Sequence, residues 1–366
     1  MTLTATSTID ETGPPQSAAA RFTSSYSELA RQVREAGLLR RAYGYYLAMG
    51  IGVTLALAGI VTGMVLLGDS WFQLLMAGAL GIVLTQIAFL THEAAHRQIF
   101  ASGPVNDLVG RWLANAVVGI SYSWWMTKHT RHHANPNQVG KDPDIAADTI
   151  RFTPESAAEV RGPLRHITRR QGWLFFPLLT LEGLNLHVTS IRSLLTGDPK
   201  TLSARRREII TISVRLSLYV AVIVWMMPLG LAAAFIGVQL AVFGVYMGAS
   251  FAPNHKGMQL VPAGAKMDFL SKQVLTSRNI RGGWFMNVLM GGLNHQVEHH
   301  LFPSMPRPSL AKARLLVRDH CESHGLPYTE TSLLASYAIV VRYLNQVGLA
   351  ARDPFDCPLR QDLRGY

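Results

Sequence analysis

The sequence predicts an all-α integral membrane protein whose four transmembrane helices form two hairpins, accompanied by interfacial helices and a cytoplasmic helical cap. Three observations predict it. Apolar residues are gathered into long blocks in a chain of 366 residues that is 49% hydrophobic and 16% charged. Apart from Arg215, lysines and arginines avoid both the blocks and the turns inside them. Eight histidines stand in clusters just beyond the block ends.

The first block runs from Tyr43 to Leu90, with Asp69 as its only formal charge, and Gly68-Asp69-Ser70 divides it into two segments. Each is long enough for a bilayer that needs about 20 helical residues. The second block, Ile209 to Phe251, breaks at Pro228-Leu229-Gly230 and carries one charge, Arg215. Arg215 falls about two turns into the third span, within snorkelling reach of the membrane surface, and is assigned no catalytic role. Between the hairpins, Asp107–Met126 and Trp173–Leu195 mix tryptophan and aliphatic residues with charges. That pattern suits helices in the headgroup layer, the second one stopped by Gly197-Asp198-Pro199. After the fourth span a helix is expected from Ser309, as its N-cap, to Gly325. The domain reading is an N-terminal cytoplasmic arm at 1–42, a membrane domain at 43–350 and a C-terminal tail at 351–366. The Thr-, Ser-, Ala- and Pro-rich stretch 1–20 is expected to be disordered.

All 34 lysines and arginines except Arg215 lie in the N-terminal arm, between Arg97 and Arg207, or after His255. The positive-inside rule places those three regions in the cytoplasm, and every histidine cluster with them. This topology, with attraction to anionic lipid headgroups, accounts for the net charge of +11 without nucleic-acid binding. No signal peptide is expected, because the first apolar run is too long for one. Cys321 and Cys357 are expected to be reduced thiols, with no disulfide framework.

His92 and His96 in HEAAH stand four apart, on one helical face. The string also satisfies the HExxH pattern of zinc proteases, with Glu93 as general base, but that reading leaves six further clustered histidines without work. His129, His132 and His133 in HTRHH again share one face. In HQVEHH, either Gln296 or His295 is spaced to join His299 and His300. His255 emerges at the end of the fourth span and joins the set. His320 and His324 flank Cys321 on an amphipathic helix and read as a solvated face, while His166 and His187 are isolated. Imidazole-rich shells without thiolate suit redox iron, which with O2 attacks unactivated C–H bonds, so a hydrocarbon chain from the lipid phase is the implied substrate. A membrane metal carrier would need these histidines inside the spans, and they lie outside.

HxxxH, HxxHH and Q/HxxHH boxes, with HHANPNQVGKDPDI (His132 to Ile145), PNHKGM (Pro253 to Met258) and NHQVEHHLFPSMPRPSL (Asn294 to Leu310), resemble the membrane fatty acid desaturase family. The likeness runs from about Tyr43 to about Val347 and is nearest to the front-end and linoleoyl-CoA-type branch. It implies a non-haem di-iron centre held by His92, His96, His129, His132, His133, His255, His299 and His300. Gln296 takes the place where other branches have histidine, and no catalytic residue is implied beyond the metal ligands. The implied reaction introduces a cis double bond into a fatty acyl chain with O2 and two electrons that come ultimately from NAD(P)H. The acyl carrier is left open between CoA, carrier protein and phospholipid. With no HPGG haem motif in the sequence, a separate ferredoxin or cytochrome b5-like protein, with its reductase, is the expected donor. A membrane di-iron hydroxylase is the alternative within the same chemistry.

Overall fold

A computed structural model describes residues 18–197 and 202–351. The expected stretch 1–20 falls almost wholly outside the described residues, as do Cys357, Asp198, Pro199 and nearly all of the tail.

Among the described residues, four helices have the length and apolarity of membrane spans: α2 (Tyr43–Leu67), α3 (Gln73–Ala95), the Arg205–Met226 part of α10 (Leu202–Met226), and α11 (Leu229–His255). The protein is therefore an integral membrane protein, mostly helical among the described residues, with one two-residue strand pair, Asn279–Ile280 with Glu330–Thr331, and an isolated bridge between Gln138 and Val261. Both hairpins turn where the sequence breaks them, at Gly68–Phe72 and at Met227–Pro228. The outer helices α2 and α10 keep Leu55, Leu66, Leu218 and Trp225 exposed, as lipid-facing residues are. α3 and α11 pack against each other and are more buried.

Both inner helices run past the ends of their apolar blocks. α3 continues beyond Leu90 to Ala95, and α11 continues beyond Phe251 through Pro253 to His255. Proline is tolerated there because Ala249 O, the carbonyl four residues back that Pro253 has no N–H to bond, accepts from Tyr337 Oη at 2.9 Å instead. The buried Arg278 donates to Pro253 O and Lys256 O, and Ser336 Oγ donates to Pro253 O at 2.7 Å. A cation on the last carbonyls of a helix also matches the sign of its dipole.

Neither interfacial stretch is one continuous helix. Asp107–Met126 divides into α4 (Gly103–Arg111), a π-helical run Trp112–Val118, and α5 (Tyr122–Ala134). The break is at Gly119, whose φ of 92° suits glycine and few other residues. Arg215 Nε donates to Val117 O at 2.9 Å at this break, so the lone charge of the third span has a structural partner. Trp173–Leu195 divides into α8 (Gln171–Leu179) and α9 (Glu182–Thr196), bent by 77°. Thr180 Oγ1 closes on Pro177 O at 2.6 Å at the bend, a local bond that competes with helical continuation.

Beyond the spans lie α12 (Phe269–Leu275), α13 (Trp284–Leu289), α14 (Gln296–Leu301), α15 (Arg307–Ser323) and α16 (Leu333–Leu349). α15 begins two residues before the expected Ser309, because Pro306 takes the cap position and Pro308 sits in the first turn, where a missing N–H is harmless. Its end near Gly325 agrees with expectation, at φ +67°. α1 (Ala18–Glu35) packs onto this assembly, with Leu29 and Val33 sharing a core with Val274, Leu301, Val317 and Cys321.

Candidate metal centre

Eight imidazoles converge where α3 and α11 end. α3 supplies His92 and, at its C-cap, His96, α5 supplies His129, His132 and His133, α11 ends on His255, and α14 carries His299 and His300. They fall into two groups, His92, His96, His129, His133 and His299 in one, and His132, His255 and His300 in the other. Within each group one ring nitrogen per residue lies within 4.8 Å of all the others. In the first, His96 Nε2 is 2.7 Å from His129 Nε2, and His133 Nε2 is 3.1 Å from His299 Nε2. In the second, His132 Nε2 is 3.3 Å from His255 Nε2. Two nitrogens each about 2.0–2.1 Å from one ion at right angles stand about 3 Å apart, so these spacings suit shared coordination. The buried Nε2 atoms of His92 and His300 have no hydrogen-bond partner among the described residues. Both histidine groups offer a nitrogen donor set that fits a metal ion.

In the second group, acceptors on the far side of each ring fix its tautomer. His132 Nδ1–H donates to Asp142 at 3.0 Å, His255 Nδ1–H to Thr276 O at 2.9 Å, and His300 Nδ1–H to Gln273 Oε1 at 2.9 Å. All three Nε2 lone pairs are left facing inward, as ligating histidines require. Gln273 also donates to His133 O at 3.0 Å and so ties α5 to α14. Burial first, then neighbouring histidines, holds His129, His133, His299 and His300 well below the usual imidazole range, and burial brings His96 down to about 3. They stay neutral and able to ligate. His132 differs: burial pushes it down, but the carboxylates of Asp144 and Asp142 outweigh that and raise it.

Gln296 sits beside the second group, its Nε2 at 2.9 Å from His255 Nε2 and its Oε1 accepting from Asn254 Nδ2 at 3.1 Å. In this orientation it turns a donor toward His255. His295 is buried but belongs to neither group. Glu93, the would-be protease base, is ion-paired with Arg307, and both are almost fully buried. Of the remaining histidines, His187 is buried between Gly183 O and Val118 O. His320 is not solvated as expected: α1 covers it, and Ser25 Oγ lies 2.6 Å from its Nε2.

The sequence pattern of the family described as fatty acid desaturase matches residues 69–332. The chain belongs to the fatty acid desaturase family. It is 30% identical over 275 residues to an acyl-lipid (9-3)-desaturase of Physcomitrium patens, a match covering 73% of this chain and 52% of that protein. It is 27% identical over 342 residues to a Delta(8)-fatty-acid desaturase of Helianthus annuus, covering 90% and 74%. A Delta(6)-fatty-acid desaturase of Caenorhabditis elegans is 26% identical over 338 residues, covering 89% and 75%. The chain thus spans about half of the Physcomitrium patens protein and about three quarters of the other two. Family and relatives make it a membrane fatty acyl desaturase by class, and favour desaturation over the hydroxylase alternative.

Sequence reasoning missed the residues that hold the histidines in place: Asp142, Asn137, Gln273 and Arg278. Asn137 Nδ2 donates to His255 O at 3.0 Å, and its backbone N–H donates to Asp142 at 2.7 Å. Asp142 and Asn137 were visible as members of the HHANPNQVGKDPDI run. Gln273 and Arg278 carried no signal.

Proposed function

We propose that the two histidine groups hold two iron ions, with His92, His96, His129, His133 and His299 around one and His132, His255 and His300 around the other. Gln296 stands beside the second group, its amide 2.9 Å from His255 Nε2. The convergence of all eight imidazoles into two close groups carries this reading. Bound iron supplies the O2 chemistry that removes two hydrogens from adjacent methylenes, giving a cis double bond and, with two electrons and two protons, two waters.

The protein's part is to bind, orient and exclude water. A cavity of about 530 Å3 is lined by His92, His129, His132 and His255 together with Trp125, Phe175, Leu179, Phe243, Met247 and Phe251. Such walls suit an extended acyl chain and keep water from the reacting carbons. Trp125 stacks on His129 at 4.4 Å and fixes that ring at the cavity wall. Asp142, Thr276 and Gln273 hold the Nδ1 protons, so each Nε2 keeps its lone pair, the one on His255 facing the Gln296 amide. Electrons come from a separate ferredoxin or cytochrome b5-like donor and its reductase, drawing on NAD(P)H. The basic loops support a centre on the cytoplasmic side. The domain plan, with a membrane unit over 43–350, fits the same reading.

Expression in a host lacking desaturases, with mass spectrometry of its fatty acids and iron analysis of the purified protein, tests this. New monounsaturation or further unsaturation with iron bound is expected. A hydroxy acid as sole product, or an iron-free protein that still desaturates, overturns it.

A further inference from the structure

The two histidine groups differ in what lies behind them. The rings of His132, His255 and His300 meet only other imidazoles among the described residues, whereas the first group meets a tryptophan. Trp125 stacks on His129, with ring centres 4.4 Å apart and planes 17° apart, and meets His92 edge-on at 5.6 Å. The other aromatic ring in contact with the eight is Phe251, beside His92, and a phenyl ring resists oxidation.

Trp125 is one step of a longer row. Along α5, Tyr122, Trp125 and His129 follow at spacings of three and four residues, so their side chains line one face of the helix. Tyr122 and Trp125 also share a small core with Ala95 and Ala114. The Tyr122 ring is buried close over Gly110, where an added Cβ would come within 2.7 Å of it. Its hydroxyl donates to Asp107 Oδ1 at 3.3 Å, and the guanidinium carbon of the exposed Arg111 lies 5.8 Å from the ring centre. Asp107 is half-buried, so a row that begins at the first histidine group ends at the protein surface.

Indole and phenol are the aromatic side chains that give up one electron most easily. A phenol that loses an electron also loses its proton, and a carboxylate facing the hydroxyl accepts it. Reduction of O2 to two waters takes four electrons and four protons. In desaturation the external donor supplies two electrons, and the acyl chain supplies two more with two protons. With no chain in the cavity the centre is left two electrons short, beside its own imidazoles.

We propose that Trp125 and Tyr122 form a one-electron relay that discharges the centre when O2 has been activated with no acyl chain bound. The proposal rests on the desaturase reading above. Trp125 gives an electron to the centre, Tyr122 refills Trp125 as its phenolic proton moves to Asp107, and a small water-soluble reductant such as ascorbate restores Tyr122, which takes its proton back. Two passes bring two electrons from the reductant. With the donor's two electrons and four protons from solvent, they complete two waters. A bound acyl chain competes for the same oxidising equivalents and silences the relay.

The test uses iron-loaded, full-length protein in digitonin, a detergent with no acyl chain. The protein is reduced with dithionite, freed of excess reductant, mixed with O2 and frozen at intervals for electron paramagnetic resonance. One sample series lacks acyl substrate, and the other contains the one that the whole-cell experiment identifies. Without substrate a tyrosyl radical is expected, narrowed in protein carrying ring-deuterated tyrosine, quenched by ascorbate and lost in Tyr122→Phe. With substrate the double bond forms and the radical falls. Per bound iron, Trp125→Phe is expected to lose most of the radical, and Asp107→Asn to form it more slowly. Tyr122→Phe should instead accumulate oxygen on Trp125, located by peptide mass spectrometry. A double bond formed normally with no tyrosyl radical in the substrate-free series, or a radical that survives Tyr122→Phe or Trp125→Phe undiminished, overturns the relay and leaves the desaturase reading standing. Absence of a double bond in iron-loaded protein given substrate overturns that reading, and the relay with it.

Discussion

Glu93 and Arg307 form an ion pair buried between α3 and α15, one residue from His92 on the first partner and seven from His300 on the second. The pair fastens the first histidine box to the segment that follows the third. Around it, the Arg307 backbone N–H donates to Tyr46 Oη at 3.3 Å, and the guanidinium carbon lies 6.0 Å from the centre of the Tyr45 ring. Removing one member of such a pair leaves an unpaired buried charge and costs about 3–5 kcal/mol, whereas replacing both with apolar or neutral groups costs much less. Arg307→Met and Glu93→Gln are each expected to destabilise strongly, and the double variant less than their sum. Thermal unfolding in detergent measures the cycle. Strictly additive losses would show that the two side chains do not interact.

Cys321 is fully buried in the core that α1 completes, and burial foremost, with Glu298 and Glu322 adding, pushes its thiol up to about 12. Because the thiolate is the reactive form, a shift of that size from an ordinary thiol slows alkylation near neutral pH by on the order of a thousandfold. In a Cys357→Ser background, maleimide labelling of the folded protein should be negligible, and rapid once detergent unfolds it. Prompt labelling in the native state would mean that α1 does not cover α15.

What the sequence revealed follows a physical division. Spans and boxes depend on local order: twenty apolar residues in a row, or imidazoles four apart, mean the same thing wherever the chain goes next. So α2, α3, α10 and α11 and all eight clustered histidines were legible. The groups that fix those histidines are side-chain partners brought together from far along the chain. Gln273 serves His300, Thr276 serves His255, and Glu93 finds Arg307 across 214 residues, and no periodicity marks any of them. The same limit explains His320. Its helix looks amphipathic and solvated until α1, an element of the N-terminal arm, is laid upon it. The bends at Gly119 and Thr180 were hidden because a window of mixed tryptophan and aliphatic residues reads alike whether straight or broken.

α9 and α11 touch through glycines. A Cβ on Gly183 would meet the Leu240 carbonyl, and one on Gly244 would meet the Gly183 amide, so neither position has room for a side chain. Small residues let membrane helices approach to backbone contact, and here that contact sets the width of the cavity beside Phe243 and Met247. Gly244→Ala is expected to cost roughly 1–3 kcal/mol as α9 is forced outward. Gly237→Ala, on the same helix with open space around it, should be neutral or slightly stabilising. Unfolding midpoints in detergent separate the two, and equal effects would refute close packing at Gly244.

Asp142 has a fully buried carboxylate that accepts from three groups: His132 Nδ1–H, the Asn137 N–H at 2.7 Å and the Asp144 N–H at 2.9 Å. It therefore orients His132 and folds the chain after the second box in the same act. Loss of an acceptor behind a ligating histidine typically lowers metal affinity 10–100-fold. Asp142→Asn is the informative variant, since it keeps an oxygen for the backbone donors while removing the charge that favours His132 as a strong ligand. Iron per protein, measured by elemental analysis after dialysis against a graded chelator, should fall for Asp142→Asn and fall further for His132→Ala. His166→Ala, at an exposed histidine outside both groups, should retain the wild-type content. All three proteins should remain in the membrane fraction, because the spans do not depend on the site. If His132→Ala kept full iron and full product, the proposed ligand set around the second ion would be wrong, and the bond from Asp142 would serve folding alone.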